Sequence, residues 1–410
     1  MSDFIVEFEC PQCGAPASLE ETSRLFICTY CSVKSYLVPQ DVFHYVLPSR
    51  APEDKEIIYF PYWRFRGVLF VSAPDLTVHS EPINEILQAA PSDFFPYDLG
   101  FKAQVIKMRF TGQEFKGRIF EPTIPFEEAV QSFDYLNEMT YHSQFIGLLE
   151  TIYAPFYIQD STIYDGISNK RVDMFYEYPI EIDEEMVTQL PPVTHLSQDM
   201  KFIPTLCPHC GWDMDSARDS YLMACKNCGS FCKPQWAGLK KMGVGFLPGE
   251  RSTALYLPFY RIQAEITGTQ LHTYGDLIKV ANLTKVVKEE EAKRNFYFWV
   301  PAFKLGSGLF LQIATRVTLG QPNGKIERSM PKTPAYPVNL PMSEAVKCLR
   351  SIFADFIAFR EINYPKLQDI SIVPKRLALI YVPFEALGSE IVHPQYKVRV
   401  SSRTLEHFRL

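Results

Sequence analysis

Cysteines at positions 10, 13, 28 and 31, and again at 207, 210, 225 and 228, constrain this chain more than any other feature. Each set reads C-x2-C-x14-C-x2-C, and every cysteine of the second lies 197 residues after its counterpart. Two tight turns, each presenting a pair of sulfurs, suit one tetrahedral ion held by four thiolates. Cys10, Cys13, Cys28 and Cys31 are expected to ligate one ion, and Cys207, Cys210, Cys225 and Cys228 a second. Zinc is the expected metal at both, although iron shares the four-sulfur geometry. Four thiolates leave no open coordination position, so both ions are expected to be structural, with no bound water to activate. Binding at such sites can contribute on the order of 10–16 kcal/mol to folding near neutral pH.

Repetition extends beyond the cysteines. At the same offset Tyr59-Phe60-Pro61-Tyr62-Trp63-Arg64-Phe65 faces Tyr256-Leu257-Pro258-Phe259-Tyr260-Arg261-Ile262. Farther on the offset grows but the order persists. Phe94-Phe95-Pro96-Tyr97 corresponds to Trp299-Val300-Pro301-Ala302, Pro125–Val130 to Pro341–Val346, and Tyr153-Ala154-Pro155-Phe156 to Tyr381-Val382-Pro383-Phe384. A tandem duplication is the expected architecture, mainly β (α+β). Each half is a four-cysteine ribbon followed by a β-rich domain with one or two covering helices. The expected boundaries are ribbon 1 at 1–40, β-rich domain 1 at 41–185, a linker at 186–203, ribbon 2 at 204–235 and β-rich domain 2 at 236–410. Proline lacks an N–H, so each aromatic-Pro copy reads as a strand bent at its proline, with the aromatics as core. An aromatic groove for a peptide or for bases is the competing reading.

The Cys-Pro-x-Cys-Gly turns at Cys10–Gly14 and Cys207–Gly211 resemble those of zinc-ribbon proteins, such as the ribbons of general transcription factors and RNA polymerase subunits. The resemblance covers only Cys10–Cys31 and Cys207–Cys228, and implies metal ligation by these eight cysteines. Ser32 departs from it, standing where a glycine is usual. Zinc ribbons serve as nucleic-acid binders, protein-docking modules or structural staples, so the resemblance does not choose among these.

Composition narrows the class. Apolar residues make up 47% and charged residues 21%, which is ordinary for a folded chain, while 31 Phe, 22 Tyr and 31 Pro favour strands and turns. The most apolar stretch, Phe296–Ala314, carries Pro301, Lys304 and Gln312, so it is expected to form two buried strands and not a membrane span. With no secretory leader visible and eight thiols in ribbon spacing, a reducing, cytoplasmic setting is expected. Net charge is −6, but residues 1–200 hold 13 Lys+Arg against 30 Asp+Glu, and residues 201–410 hold 28 against 17. That split points to an anionic partner for the second half, or to head-to-tail self-association of unlike halves.

Helices are expected at Phe126–Glu138, Asp276–Arg294 and Met342–Arg360, with a short one near Ile83–Ala90. Lys233–Thr253 and Gly320–Pro341 read as exposed loops. Phosphate-binding glycine loops, a G-x-S-x-G and an H-E-x-x-H are absent from the sequence. Cys232 and Cys348 read as core thiols. Arg64 and Arg261, beside aromatics on equivalent strands, either pair with a local carboxylate or form an anion-binding face. The expectation is a non-enzymatic zinc-binding scaffold for protein partners, a homo-oligomer among them. The alternative is nucleic-acid binding through residues 201–410, using Lys240 and Lys241.

Overall fold

The computed structural model describes residues 4–99, 107–111, 117–133, 140–172, 192–193, 200–250, 252–286 and 288–407. It is 43% strand and 17% helix, a mainly β protein. Two units divide the chain: Met1–Gly67, Ile83–Asp134 and Gly147–Pro204 form the first, and Val68–Pro82, Tyr135–Ile146 and Thr205–Leu410 the second. Residues 186–191 of the expected linker lie outside the described residues.

In the first unit the ribbon supplies β1 (Ile5–Glu9), β2 (Pro16–Glu20), β3 (Leu25–Ile27) and β4 (Lys34–Pro39). Then come β5 (Phe43–Val46), β6 (Ile57–Ser72), β7 (Val78–Gln88), β8 (Lys107–Phe110), β9 (Arg118–Phe120) and helix α1 (Phe126–Gln131). β10 (His142–Gln159), β11 (Thr162–Asp165), β12 (Pro192–Val193) and β13 (Met200–Pro204) complete it, except that Val68–Ser72 of β6, Val78–Pro82 of β7 and His142–Ile146 of β10 belong to the second unit. Among the described residues one sheet runs β12-β9-β6-β10-β5-β8-β1-β2, with β7 on β6 and β11 on β10, while β13-β4-β3 forms a second. Phe60, Tyr62, Phe95, Phe120 and Phe156 are fully buried at its centre, Phe60 and Phe95 stacking at 4.2 Å.

In the second unit β14 (Met223–Ala224), β15 (Phe231–Gln235) and β16 (Gly238–Met242) make the ribbon sheet. β17 (Val244–Phe246), β18 (Thr253–Thr267), β19 (Phe298–Pro301), β20 (Ser371–Leu387), β21 (Glu390–His393) and β22 (Val398–Ser401) make the larger one, ordered β19-β18-β20-β21-β22 with β17 on β20. Its helices are α2 (Tyr274–Val280), α3 (Glu289–Ala292), α4 (Ser307–Gly320), α5 (Met342–Lys347), α6 (Leu349–Phe356), α7 (Arg360–Asn363) and α8 (Ser402–His407).

The prolines of the repeated motif have a clear physical task. Pro258 sits in unbroken register opposite Tyr381; the irregularities of β18 lie at Thr253/Leu255 and Gln263/Ala264, so the strand is not bulged at its proline. Pro258 O accepts the Ala302 N–H at 2.9 Å, but Pro258 has no N–H to return. Ala302 O instead accepts from Asn339 and Leu340 N–H at 3.1 and 3.2 Å, which seats the segment leading into α5. The same arrangement occurs at Pro61: Ala89 N–H donates to Pro61 O at 3.0 Å, and Ala89 O accepts from Thr123 and Ile124 at 2.7 and 2.9 Å ahead of α1. Leu47 N–H to Tyr153 O and Leu247 N–H to Tyr381 O form another matching pair, at 3.0 and 2.9 Å. The residue bonded to Pro61 in this way is thus Ala89 and not Tyr97. The motif aromatics Tyr62, Tyr153, Phe156, Phe259, Tyr260, Tyr381 and Phe384 are buried core, whereas Tyr97 is exposed, contrary to the expectation.

Several local expectations change. Ile83–Gln88 is strand and Ala89-Ala90 a bend, since β7 pairs with β6 and buries its distal end. The helix expected over Asp276–Arg294 stops at Val280 because Asn282 takes a left-handed φ of 49° and Leu283 N–H turns back to Ile278 O. The helix expected over Met342–Arg360 ends at Phe356, where Ile357 becomes extended. Phe296–Ala314 holds one strand, β19, and the start of α4 after Gly306. Lys233–Thr253 is largely strand, because Trp236-Ala237 close a hairpin between β15 and β16, with Gly238 at a φ of 121°. No helix among the described residues is long and apolar enough to cross a membrane.

Candidate metal centres

Four short turns build the two cysteine clusters, and they share one backbone geometry. Gly14 N–H donates to Cys10 O and Cys10 N–H to Ala15 O, both at 2.9 Å. The same two bonds recur around Cys28 (from Ser32, to Val33), Cys207 (from Gly211, to Trp212) and Cys225 (from Gly229, to Ser230), at 2.8–3.0 Å. Each turn requires a left-handed residue four places after its first cysteine: Gly14 at 71°, Gly211 at 72°, Gly229 at 69°, and Ser32 at 59°. Ser32 therefore adopts the conformation of the glycine it replaces.

The turns bring all eight expected ligands together in two groups, the sulfurs of each group lying within 4.8 Å of one another. Cys10–Cys31 and Cys13–Cys28 are 3.8 Å apart, Cys207–Cys228 3.7 Å and Cys210–Cys225 3.5 Å. A tetrahedron with metal–sulfur bonds of about 2.3 Å has edges of about 3.8 Å, so these sulfur pairs stand at the spacing of a metal tetrathiolate. Cys10, Cys28, Cys207 and Cys225 are buried, while Cys13, Cys31 and Cys210 face outward. Backbone donors aim at the sulfurs, as Tyr30 N–H does at Cys28 Sγ (3.4 Å). The Cys31 and Tyr30 N–H groups hold the Cys28 thiol down at about 6, and the Ser230 hydroxyl and N–H do the same for Cys228. Cys13, although the Ala15 N–H favours its thiolate, is pushed up to about 12 by desolvation and its three sulfur neighbours; burial first, then Cys210, takes Cys225 to about 11. Four sulfurs this close resist joint ionisation unless a cation sits among them. Cys232, fully buried on β15, and Cys348, buried on the helical face, stand outside both groups.

Arg64 is buried on β6. Its Nη1 lies 2.5 Å from Glu21 Oε2, an ion contact and not an aligned hydrogen bond, and 3.3 Å from Glu150 Oε2. Arg66 Nη1 donates to Glu21 Oε1 at 2.7 Å, the Tyr45 hydroxyl donates to Glu150 Oε1 at 3.4 Å, and the Arg64 guanidinium covers the Phe4 ring at 4.1 Å. Burial, then the Glu21 charge, raises Glu150 to about 7 against the opposing arginines. Glu21 and Glu150 escaped sequence reasoning. The available signal was a lone carboxylate within the apolar run Ile146–Phe156.

Arg261 is half-buried on β18, its guanidinium 4.7 Å over the Tyr297 ring. Lys240 and Lys241 are exposed on β16, with Lys240 directly opposite Lys233. Within the second unit, Arg261 on β18 and the lysine pair on β16 thus lie on different sheets. Comparison with protein-family models, curated proteins and solved structures finds no match for the chain.

Proposed function

We propose that this chain is a zinc-stapled binding protein, built by duplication of a ribbon plus β-domain unit, and that neither metal centre performs a reaction. The carrying observation is that each cage consumes four sulfurs at tetrahedral spacing, which leaves a bound ion no position for substrate or water. Hydrogen bonds recurring at Pro61/Pro258, Ala89/Ala302 and Tyr153/Tyr381 support the duplication. Two rigid ribbons with exposed apolar side chains, Ile27 and Tyr30 on one and Leu206 and Trp212 on the other, suit docking of a protein partner. Affinity capture of the full chain from its native host, with nuclease treatment, tests this reading by mass spectrometry. Proteins retained after nuclease support it, and their complete loss contradicts it. The unlike charge of the halves adds self-association, which sedimentation across a salt series tests: a particle that stays monomeric at low salt removes it.

A second reading, nucleic-acid binding by ribbon 2, is favoured by one feature. Lys233 and Lys240 face each other across β15–β16, a like-charge pair that an anionic backbone relieves, and Trp212 is exposed for stacking. Binding of single-stranded DNA by the full chain, weakening steeply with salt, is its expected signature. No binding at low salt overturns it.

A further inference from the structure

The two units treat one arginine in opposite ways. Arg64 and Arg261 are equivalent by the 197-residue offset, and Arg64 is enclosed by the carboxylates of Glu21 and Glu150. The bonds Leu47–Tyr153 and Leu247–Tyr381 set Glu150 equivalent to Ala378. The bonds Ser23–Glu20 and Ser220–Ala217 set Glu21 equivalent to Arg218. Both acidic partners are therefore missing in the second unit, and one is reversed in sign.

The surroundings of Arg261 have changed to match. Trp299 on β19 and Ala378 on β20 lie directly opposite Arg261, so the three side chains form one row on one sheet face. Arg376, opposite Gln263, stands diagonal to Arg261 on that face, and it is exposed. The Trp299 indole is 1% exposed, yet its Nε1 finds no acceptor among the described residues, and neither does the buried Nε of Arg261. An unmet buried donor is costly, so two on adjacent strands call for an acceptor that the described residues do not supply. The carboxylate nearest along the strand, Glu265, is held by Lys375 at 2.6 Å.

We infer that Arg261, Trp299 and Arg376 form an oxyanion-binding site, which takes from a ligand the carboxylate that Glu150 supplies internally in the first unit. Ala378, directly opposite Arg261 on β20, brings no acceptor of its own, and Tyr297 supports the guanidinium from its ring face. The ligand is a carboxylate or a phosphate; the site stands independently of what either cage holds and of the proposed partners.

The test titrates the full chain with succinate, inorganic phosphate or chloride at matched ionic strength, reading thermal midpoint and tryptophan fluorescence. Succinate or phosphate is expected to raise the midpoint saturably where chloride does not, and the stronger of the two identifies the source. Arg261→Gln should weaken the response roughly tenfold to a hundredfold, the loss of charge-assisted hydrogen bonds. Ala378→Glu should raise the midpoint without added anion and abolish the response, by restoring the internal carboxylate. If Ala378→Glu does not fold, Arg376→Gln replaces it and should weaken the response. Equal responses to all three anions, or an unchanged response in Arg261→Gln, overturn the inference.

Discussion

Ser32 and Glu150 carry the two most informative costs at the scale of single residues. Ser32 holds a left-handed φ of 59° where the other three turns use glycine. Such a conformation costs an L-residue about 1–2 kcal/mol, so Ser32→Gly should slow metal loss from ribbon 1 to a chelator and raise its stability by about 1 kcal/mol. An unchanged release rate and midpoint would count against the strain. Glu150, raised to about 7 by burial and then by the Glu21 charge, makes the folded chain bind a proton that the unfolded chain has lost. Its contribution is fully present below an unfolded value near 4.5 and is lost as pH rises to about 7. Glu150→Gln should therefore flatten the decline in urea midpoint over that interval relative to the parent, and parallel curves would contradict it. Glu21→Ala takes from buried Arg64 the nearer of its two carboxylates and should destabilise the chain by roughly 3–5 kcal/mol, as seen by chemical denaturation.

At the scale of elements, the close approach of β6 and β10 depends on Gly147. A Cβ there would stand 2.4 Å from Arg66 O and 2.6 Å from Gly67 Cα. Gly147→Ala must separate the strands and should cost roughly 1–3 kcal/mol, measurable as a lower urea midpoint with the metal content unchanged. Elements of this kind were only partly legible in the sequence. The cysteine turns were readable because their geometry is local: four residues close each turn, and C-x2-C spacing records it. The strand around Pro258 was readable from its alternation, but the use of that proline was not. It depends on Ala302 and Leu340, which the chain brings in from 44 and 82 residues away. Helix lengths failed for a similar reason. Apolar periodicity continues through Asn282, yet a single left-handed residue ends the helix. Glu21 and Glu150 lie 129 residues apart, and nothing in their neighbourhoods announces that they meet at Arg64.

For the whole molecule, the account rests on two ions held by sulfur alone. Elemental analysis should find about two metal atoms per chain, and Cys10→Ser or Cys207→Ser should each remove about one. Because ribbon 1 shares one core with Phe60, and ribbon 2 adds Leu222 and Phe231 to the core around Trp299, stripping the metal should lower the unfolding midpoint of the whole chain. The most direct test is X-ray absorption of the purified protein at the metal edge. The account predicts four sulfur neighbours at about 2.3 Å around zinc and no lighter atom in the shell. An oxygen or nitrogen neighbour in that shell would mean an open site, and would contradict the claim that the metal serves only to hold the fold.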